Sequence, residues 1–222
     1  MTAQSVWLCF ALESAATFGR GDGIPGLVDR EVTTDGAGCP YLHGRTLKGL
    51  LGEACADVLY ALRNQGSGSQ WTAAADALFG VPGSTATGTG KMRVGHARLP
   101  EALRTAIAAE VARKHWTRDD VVEAISAIRR QTAIDANGAP EPHTLRSMRV
   151  ILRATPFEAR LSFDAEISPA ERGLLAASVL GFRRAGTARN RGRGRLTARL
   201  ENDERQDVTA AWYALFREEV CA

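Results

Sequence analysis

Apolar residues recur at three- and four-residue steps through Leu47, Leu50, Leu51, Ala54, Cys55, Val58, Leu59 and Leu62, which predicts one long amphipathic helix with Thr46 as its cap. The shorter run from Val6 to Glu13 is rich in β-formers and too brief for a buried helix, so it reads as the first strand. Lys91 to Leu99, Ser147 to Leu152, Phe157 to Phe163 and Leu196 to Leu200 read as further strands, with Thr155-Pro156 a kink between the middle two. Pro100 to His115 and Arg118 to Arg130 carry helical spacing, and Thr117 opens the second with Asp119 and Asp120 in its first turn. A helix from Ser168 to Arg184 begins at a Ser-Pro pair with Glu171 three residues on, and a last helix covers Val208 to Val220. Polar stretches separate these elements. They are Gly66-Ser-Gly-Ser69, the Gly/Ser/Thr run from Gly80 to Gly90 that follows a short helix ending in Leu78-Phe79, and the turn-rich segment Gln131 to His143. Phe18 to Gly44 holds seven glycines and two prolines without helical period, a long loop of the kind that is functional or disordered.

Reduced to its order, the chain reads β-α-β-β-α-β. That predicts an α+β, ferredoxin-like (RRM-like) core with inserted helices and a C-terminal helix, an arrangement shared by many RNA-binding modules. The aromatic sequences by which a standard RNA-recognition motif stacks bases are missing.

With 222 residues, 45% of them hydrophobic, the chain can bury a substantial core, and a net charge of +3 is too small by itself to demand a nucleic-acid partner. The placement of the charge says more. Gly186 to Arg195 packs four arginines and three glycines between a helix and a strand, and no acidic residue lies between Glu171 and Glu201. Arg183, Arg184, Arg189, Arg191, Arg193 and Arg195, with Gly192 and Gly194 among them, have the composition of a phosphate-holding loop: glycine admits close backbone approach, and arginine supplies a planar fork of donors. A second basic group, Gly44, Arg45, Lys48 and Gly49, lies at the start of the long helix, where a bound phosphate would offset cations that the helix dipole disfavours. Cys9, Cys39, Cys55 and Cys221 show no metal-binding spacing, and no apolar stretch reaches the roughly 20 residues of a membrane span, which together suggest reduced thiols, a cytoplasmic location and no membrane partner.

Three segments carry a family resemblance. Pro40-Tyr-Leu-His-Gly-Arg-Thr-Leu-Lys-Gly49, then Leu78-Phe-Gly80 followed by Lys91 to Leu99, then the late Gly/Arg loop resemble, in that order, the RAMP superfamily of CRISPR-associated proteins. His43 departs from the proline usual there. The resemblance is nearest to the backbone subunits of type III effector complexes, and implies one RAMP domain over residues 1–222 with 100–146 as an inserted helical and thumb region. The thumb-like hairpin would run from Arg129 and Arg130 to Arg146. Guide RNA (crRNA), complementary target RNA, other effector subunits and further copies of the chain are the implied partners.

Those subunits also carry Asp-x-x-Val-x-x-Asp ahead of the Pro-Tyr pair, whose first aspartate is needed for target cleavage, and Asp29-Arg-Glu-Val32-Thr-Thr-Asp35 has that spacing. The implied role of Asp29 is that of catalytic residue and ligand to Mg2+ or Mn2+ in an endoribonuclease, with His43 close enough in sequence for an acid/base part. Two alternatives stand beside it: a non-catalytic structural RNA-binding subunit, and a metal-independent endoribonuclease that processes guide RNA through His43 or His96.

Overall fold

The computed structural model describes residues 5–63, 69–81, 83 and 88–221. The expected Gly66 to Gly68 loop and positions 82 and 84–87 of the following one lie outside the described residues. The main antiparallel sheet contains β1 (Ser5–Leu12), β2 (Tyr41–Leu42), β3 (Met92–Val94), β4 (Ala97–Arg98), β7 (Pro156–Phe163) and β8 (Leu196–Glu201). Helices α1 (Gly44–Arg63) and α5 (Pro169–Gly181) provide the crossovers. The central order is β8, β1, β7, then β3 and β4, the strand sequence 4-1-3-2 of a ferredoxin-like sheet.

Alternation fixes the sheet face. Leu8, Phe10 and Leu12 of β1 and Phe157, Ala159, Leu161 and Phe163 of β7 are buried. Phe10 stacks on Phe157 at 5.2 Å and meets Phe182 edge-on at 5.7 Å. Leu47 and Leu51 of α1 and Leu175 and Val179 of α5 complete this core, each such side chain contributing about 1.5–3 kcal/mol by leaving water. A smaller cluster gathers Cys55, Trp71, Leu174 and Phe216 from α1, α2 (Ser69–Phe79), α5 and α6 (Thr209–Cys221). All four cysteines are free, and only Cys221 is exposed. No helix among the described residues is long and apolar enough to cross a membrane.

Several elements differ from the sequence pattern, each for a local reason. Helix α1 begins at Gly44, so Thr46 lies inside its first turn and is not the cap. The Lys91 to Leu99 strand is two short pieces, β3 and β4, because Gly95-His96 turns out of the ladder while the Gly95 N–H still bonds the Arg160 carbonyl at 2.9 Å. The helix expected to reach Arg130 ends at Ile125: α4 (Arg118–Ile125) opens with the Thr117/Asp120 capping box, and the Ser126 hydroxyl bonds back to the Val122 carbonyl. Ser126–Gln131 is instead β5, paired in full with β6 (Arg146–Ile151) as a separate two-stranded ribbon. Strands β6 and β7 therefore belong to different sheets, divided at Leu152 to Thr155, where Ala154 takes φ 67°. Helix α3 (Glu101–Ala112) precedes α4 as expected.

Candidate nucleic-acid interface

The Gly/Arg segment leaves the sheet as a closed loop. Its neck is zipped by the Ala185 N–H to the Gly194 carbonyl at 2.9 Å and the Leu196 N–H to the Arg183 carbonyl at 3.0 Å. Its tip is a single 3-10 turn, Arg189–Arg191, between the left-handed residues Ala188 (φ 59°) and Gly192 (φ 78°). The glycines divide by purpose. A Cβ on Gly194 would lie 1.8 Å from the Ala185 carbonyl oxygen and one on Gly186 2.7 Å from that of Thr17, so both are demanded by close packing of the loop on its own base. A Cβ on Gly192 would meet nothing within 4 Å, which leaves φ as its only constraint.

The arginines are less uniformly free than their spacing suggested. Arg189 pairs with Glu53 of α1 at 2.8 Å, and Arg195 lies 3.6 Å from Glu13, so carboxylates distant in sequence do reach the loop. Arg184 donates to the Arg189 carbonyl at 3.1 Å, steadying the tip. Arg193 turns toward the ribbon and meets the Met148 sulfur, close enough to Arg129 and Arg191 for mutual repulsion. Arg191 and Arg183 have no carboxylate partner among the described residues.

Opposite the loop stands Asp29. Residues 29–31 run alongside β6 as an extra edge: the Asp29 N–H donates to the Ser147 carbonyl at 3.0 Å, and the Arg149 N–H donates to the Arg30 carbonyl at 2.9 Å. Carboxylate atom Oδ2 of Asp29 accepts from the Ser147 N–H at 2.6 Å and from its hydroxyl at 3.2 Å. These two bonds, with Arg146 nearby, hold the exposed Asp29 carboxyl below the usual carboxylate range. Beneath it lies a buried ion pair: Arg149 and Glu31, with side chains 9% and 7% exposed, meet at 2.9 Å, and Arg149 also reaches the Ser126 hydroxyl at 3.3 Å. The other two members of the aspartate motif have different tasks. Val32 is in the core, and Asp35 caps its own turn by accepting from the Ala37 and Cys39 N–H groups at 3.0 Å each.

Between the walls is a cleft of about 440 Å3 onto which Asp29, Arg30, Arg146, Arg189, Asn190 and Arg191 all face. Arg130 lies on the far side of Asp29, along a second groove with Ile24 and Leu145. The structure thus brings Asp29, Arg146 of the ribbon and the tip of the Gly/Arg loop to one place, and leaves Arg129 and Arg130 off that cleft.

It does not bring the start of α1 there. Lys48 is drawn inward to the Met92 carbonyl at 3.1 Å, and a Cβ on Gly44 would be 2.2 Å from the Val94 carbonyl oxygen. Close packing against the turn after β3 thus occupies the space that a phosphate would need at Gly44. Arg45 and Gly49 are exposed on the same helix, away from the cleft lining. His43 and His96 do meet, with ring centroids 5.3 Å apart beside Tyr41, but outside the Asp29 cleft. The His96 Nδ1 accepts the Gly44 N–H at 2.9 Å, which places that ring's proton on Nε2, and burial with Arg98 and His43 nearby holds its pKa down.

Sequence reasoning passed over Ser147, Gln131, Asn190 and the Glu31–Arg149 pair. Nothing in the one-dimensional pattern links positions 118 residues apart such as 29 and 147. Among the described residues no cluster of three or more His, Cys, Asp or Glu side chains could hold a metal ion. Asp29 alone, with Oδ1 uncommitted, suits an ion such as Mg2+ that keeps most of its waters and shares a substrate phosphate.

No protein-family model and no curated protein matches the sequence. Solved structures do match in fold. A chain of the type III-B Cmr-beta cryo-EM structure bound to cognate target RNA aligns with a TM-score of 0.61 at 11% identity, covering 88% of this chain and 96% of that one. A chain of the apo-state type III-B Cmr-beta structure aligns at 0.59 and 12%, covering 90% and 98%. At such identities the likeness is one of fold, and it extends over nearly the whole of both chains.

Proposed function

We propose that this chain is an RNA-binding subunit of a type III CRISPR effector complex, holding guide RNA in the cleft between the Gly/Arg loop and the ribbon. The observation that carries this is the convergence of Arg146, Arg189 and Arg191 with Asp29 on one cleft, in a fold shared with chains of a complex described as bound to cognate target RNA. Guide RNA, complementary target RNA, other effector subunits and neighbouring copies of the chain are its partners on this reading.

Asp29 gives the same cleft an RNA-cleaving role. RNA is cut when its 2′-OH attacks the adjacent phosphorus and the P–O5′ bond breaks, giving a 2′,3′-cyclic phosphate and a 5′-hydroxyl that takes its proton from solvent; this requires in-line placement, loss of the 2′-hydroxyl proton and stabilisation of developing negative charge. The depressed pKa makes Asp29 an anion at neutral pH, able to accept but not to donate a proton. Asp29 is the residue that would hold Mg2+ or Mn2+; when bound, that ion neutralises charge on the phosphate. Ser147 fixes the carboxylate through Oδ2, while the arginines opposite steady the flanking phosphates. A metal-independent cut by the histidine pair is less well supported. His96 accepts the Gly44 N–H through Nδ1 and so is neutral, whereas such a cut calls for a cationic imidazole to protonate the leaving oxygen.

The test of the binding assignment is the salt dependence of RNA affinity. The double variant Arg191→Ala/Arg193→Ala should weaken RNA binding alike for all sequences and lower the log–log salt slope by about one for each arginine–phosphate pairing removed. An unchanged slope would reject the loop as a holder of phosphates.

A further inference from the structure

A cavity of about 400 Å3 lies beside the end of the ribbon, and Gln131, Glu141, Thr144, Arg146 and Arg191 are among the residues that line it. Gln131, Arg146 and Arg191 also line the Asp29 cleft, so the two cavities adjoin along a shared wall. Backbone and threonine bonds set the frame. The β5–β6 register ends with Gln131 opposite Arg146. Beyond it the Ala133 N–H donates to the Thr144 hydroxyl at 3.0 Å, that hydroxyl donates to the Glu141 carbonyl at 2.7 Å, and the Glu141 N–H donates to the Ala133 carbonyl at 2.9 Å. The Glu141 main chain is therefore fixed on both sides. Its carboxylate is uncommitted, and so are the Gln131 amide and the guanidinium groups of Arg146 and Arg191: none of the four has an ion-pair or hydrogen-bond partner among the described residues.

Opposite charges thus line one cavity without neutralising each other. A ligand that answers both carries an anion at one end and paired N–H donors at the other. Among the ribonucleotides, guanosine meets both demands. Its pairing edge sets the ring N1–H beside the exocyclic amine, two donors that one carboxylate accepts together, with the O6 acceptor next to them for an amide N–H. On adenine and cytosine a single amine stands beside a ring-nitrogen acceptor that repels a carboxylate, and the uracil N–H is flanked by two carbonyls. Resting on the RNA-binding role proposed above, we infer that this cavity is a subsite for one unpaired guanosine of an RNA strand, its donor edge on the Glu141 carboxylate, its O6 on the Gln131 amide and its phosphate on Arg146 and Arg191. Because both arginines also line the Asp29 cleft, the guanosine belongs to the strand held there. The subsite adds base preference to a binding mode otherwise directed at phosphates.

The probes are uridine oligomers of equal length whose central residue is guanosine, inosine or adenosine, titrated against the whole chain at one salt concentration. The parent should bind the guanosine oligomer about tenfold more tightly than the adenosine one, the scale of one bidentate contact to a base edge. Inosine, which lacks the exocyclic amine, should fall between them. Glu141→Gln, at a side chain with no partner to lose, should bring the guanosine and adenosine oligomers to equal affinity. Equal binding of the three oligomers by the parent, or a guanosine preference that survives Glu141→Gln, overturns the subsite while phosphate binding by the cleft stands. Guanosine monophosphate alone should bind far more weakly than the guanosine oligomer, since it lacks the flanking phosphates. Equal affinity for the two would make the cavity a site for free nucleotide and overturn its assignment to RNA. If the parent binds none of the oligomers, the RNA-binding role fails and the subsite with it.

Discussion

The two walls of the cleft are built by opposite means. The Asp29 wall is a ladder of backbone bonds to β6 beside a buried ion pair, and the Asp29 carboxylate is held by two bonds to Ser147. The Gly/Arg wall has a zipped neck, glycines packed against their own base, and a tip whose guanidinium groups are largely at the surface. One wall positions a single atom; the other presents a field of charge. On the proposed roles the difference is apt: a carboxylate in line with a reacting phosphate needs a rigid seat, whereas cations that grip a flexible backbone work from a range of positions.

Breaking the ion pair should have the largest effect on stability. Glu31→Gln or Arg149→Met leaves one buried charge without its partner and should lower unfolding free energy by about 3–5 kcal/mol in denaturant titrations, and replacing both by apolar residues should recover most of the loss. Recovery by the double variant would establish that the pair serves the wall through charge balance; failure to recover would instead make it a packing element. On the other wall the two loop glycines should separate. Gly194→Ala forces a Cβ to 1.8 Å from a carbonyl oxygen and must displace the neck, whereas Gly192→Ala, in open space at φ 78°, should cost only about 1–2 kcal/mol. Equal losses by thermal unfolding would contradict the division of tasks among these glycines.

The smallest effect concerns the Asp29–Ser147 bonds. Folding lowers the Asp29 pKa, so these bonds contribute stability above the unfolded carboxyl value, near pH 4, and lose it as pH falls through the folded value. The stability difference between the parent and Asp29→Asn should therefore be flat around neutrality and close in acid. A difference that instead closes on raising the pH would mean that the carboxyl is not held as an anion.

The sequence revealed these walls unequally, and the reason is physical. The composition expected of a phosphate-holding loop is dense and local, so glycines and arginines within ten residues mark the loop, and the strand and helix periods around it place it after α5 and before β8. The loop's ion pairs escaped notice because Glu53 and Glu13 are near it only in space. On the other wall only Asp29 had a signal, through motif spacing; Ser147 and Arg149 are ordinary residues until β6 pairs with the 29–31 edge. The ribbon itself was half hidden, since Ile125 and Ile128 satisfy a helical spacing as readily as they fit the end of α4 and the start of β5. Lys48 misled for the same reason: a cation in a first helical turn reads as surface, and only the fold shows it drawn to the Met92 carbonyl.

Cutting of a complementary RNA by the guide-loaded assembly, with parent and Asp29→Ala subunits compared at saturating RNA in the presence of Mg2+, tests the central claim most directly. The account predicts that the variant binds the RNA with the parent's affinity and salt slope but yields no fragments at the sites this subunit faces. Fragments produced at the parent's rate would contradict it, and would leave the cleft a grip without a cutting residue.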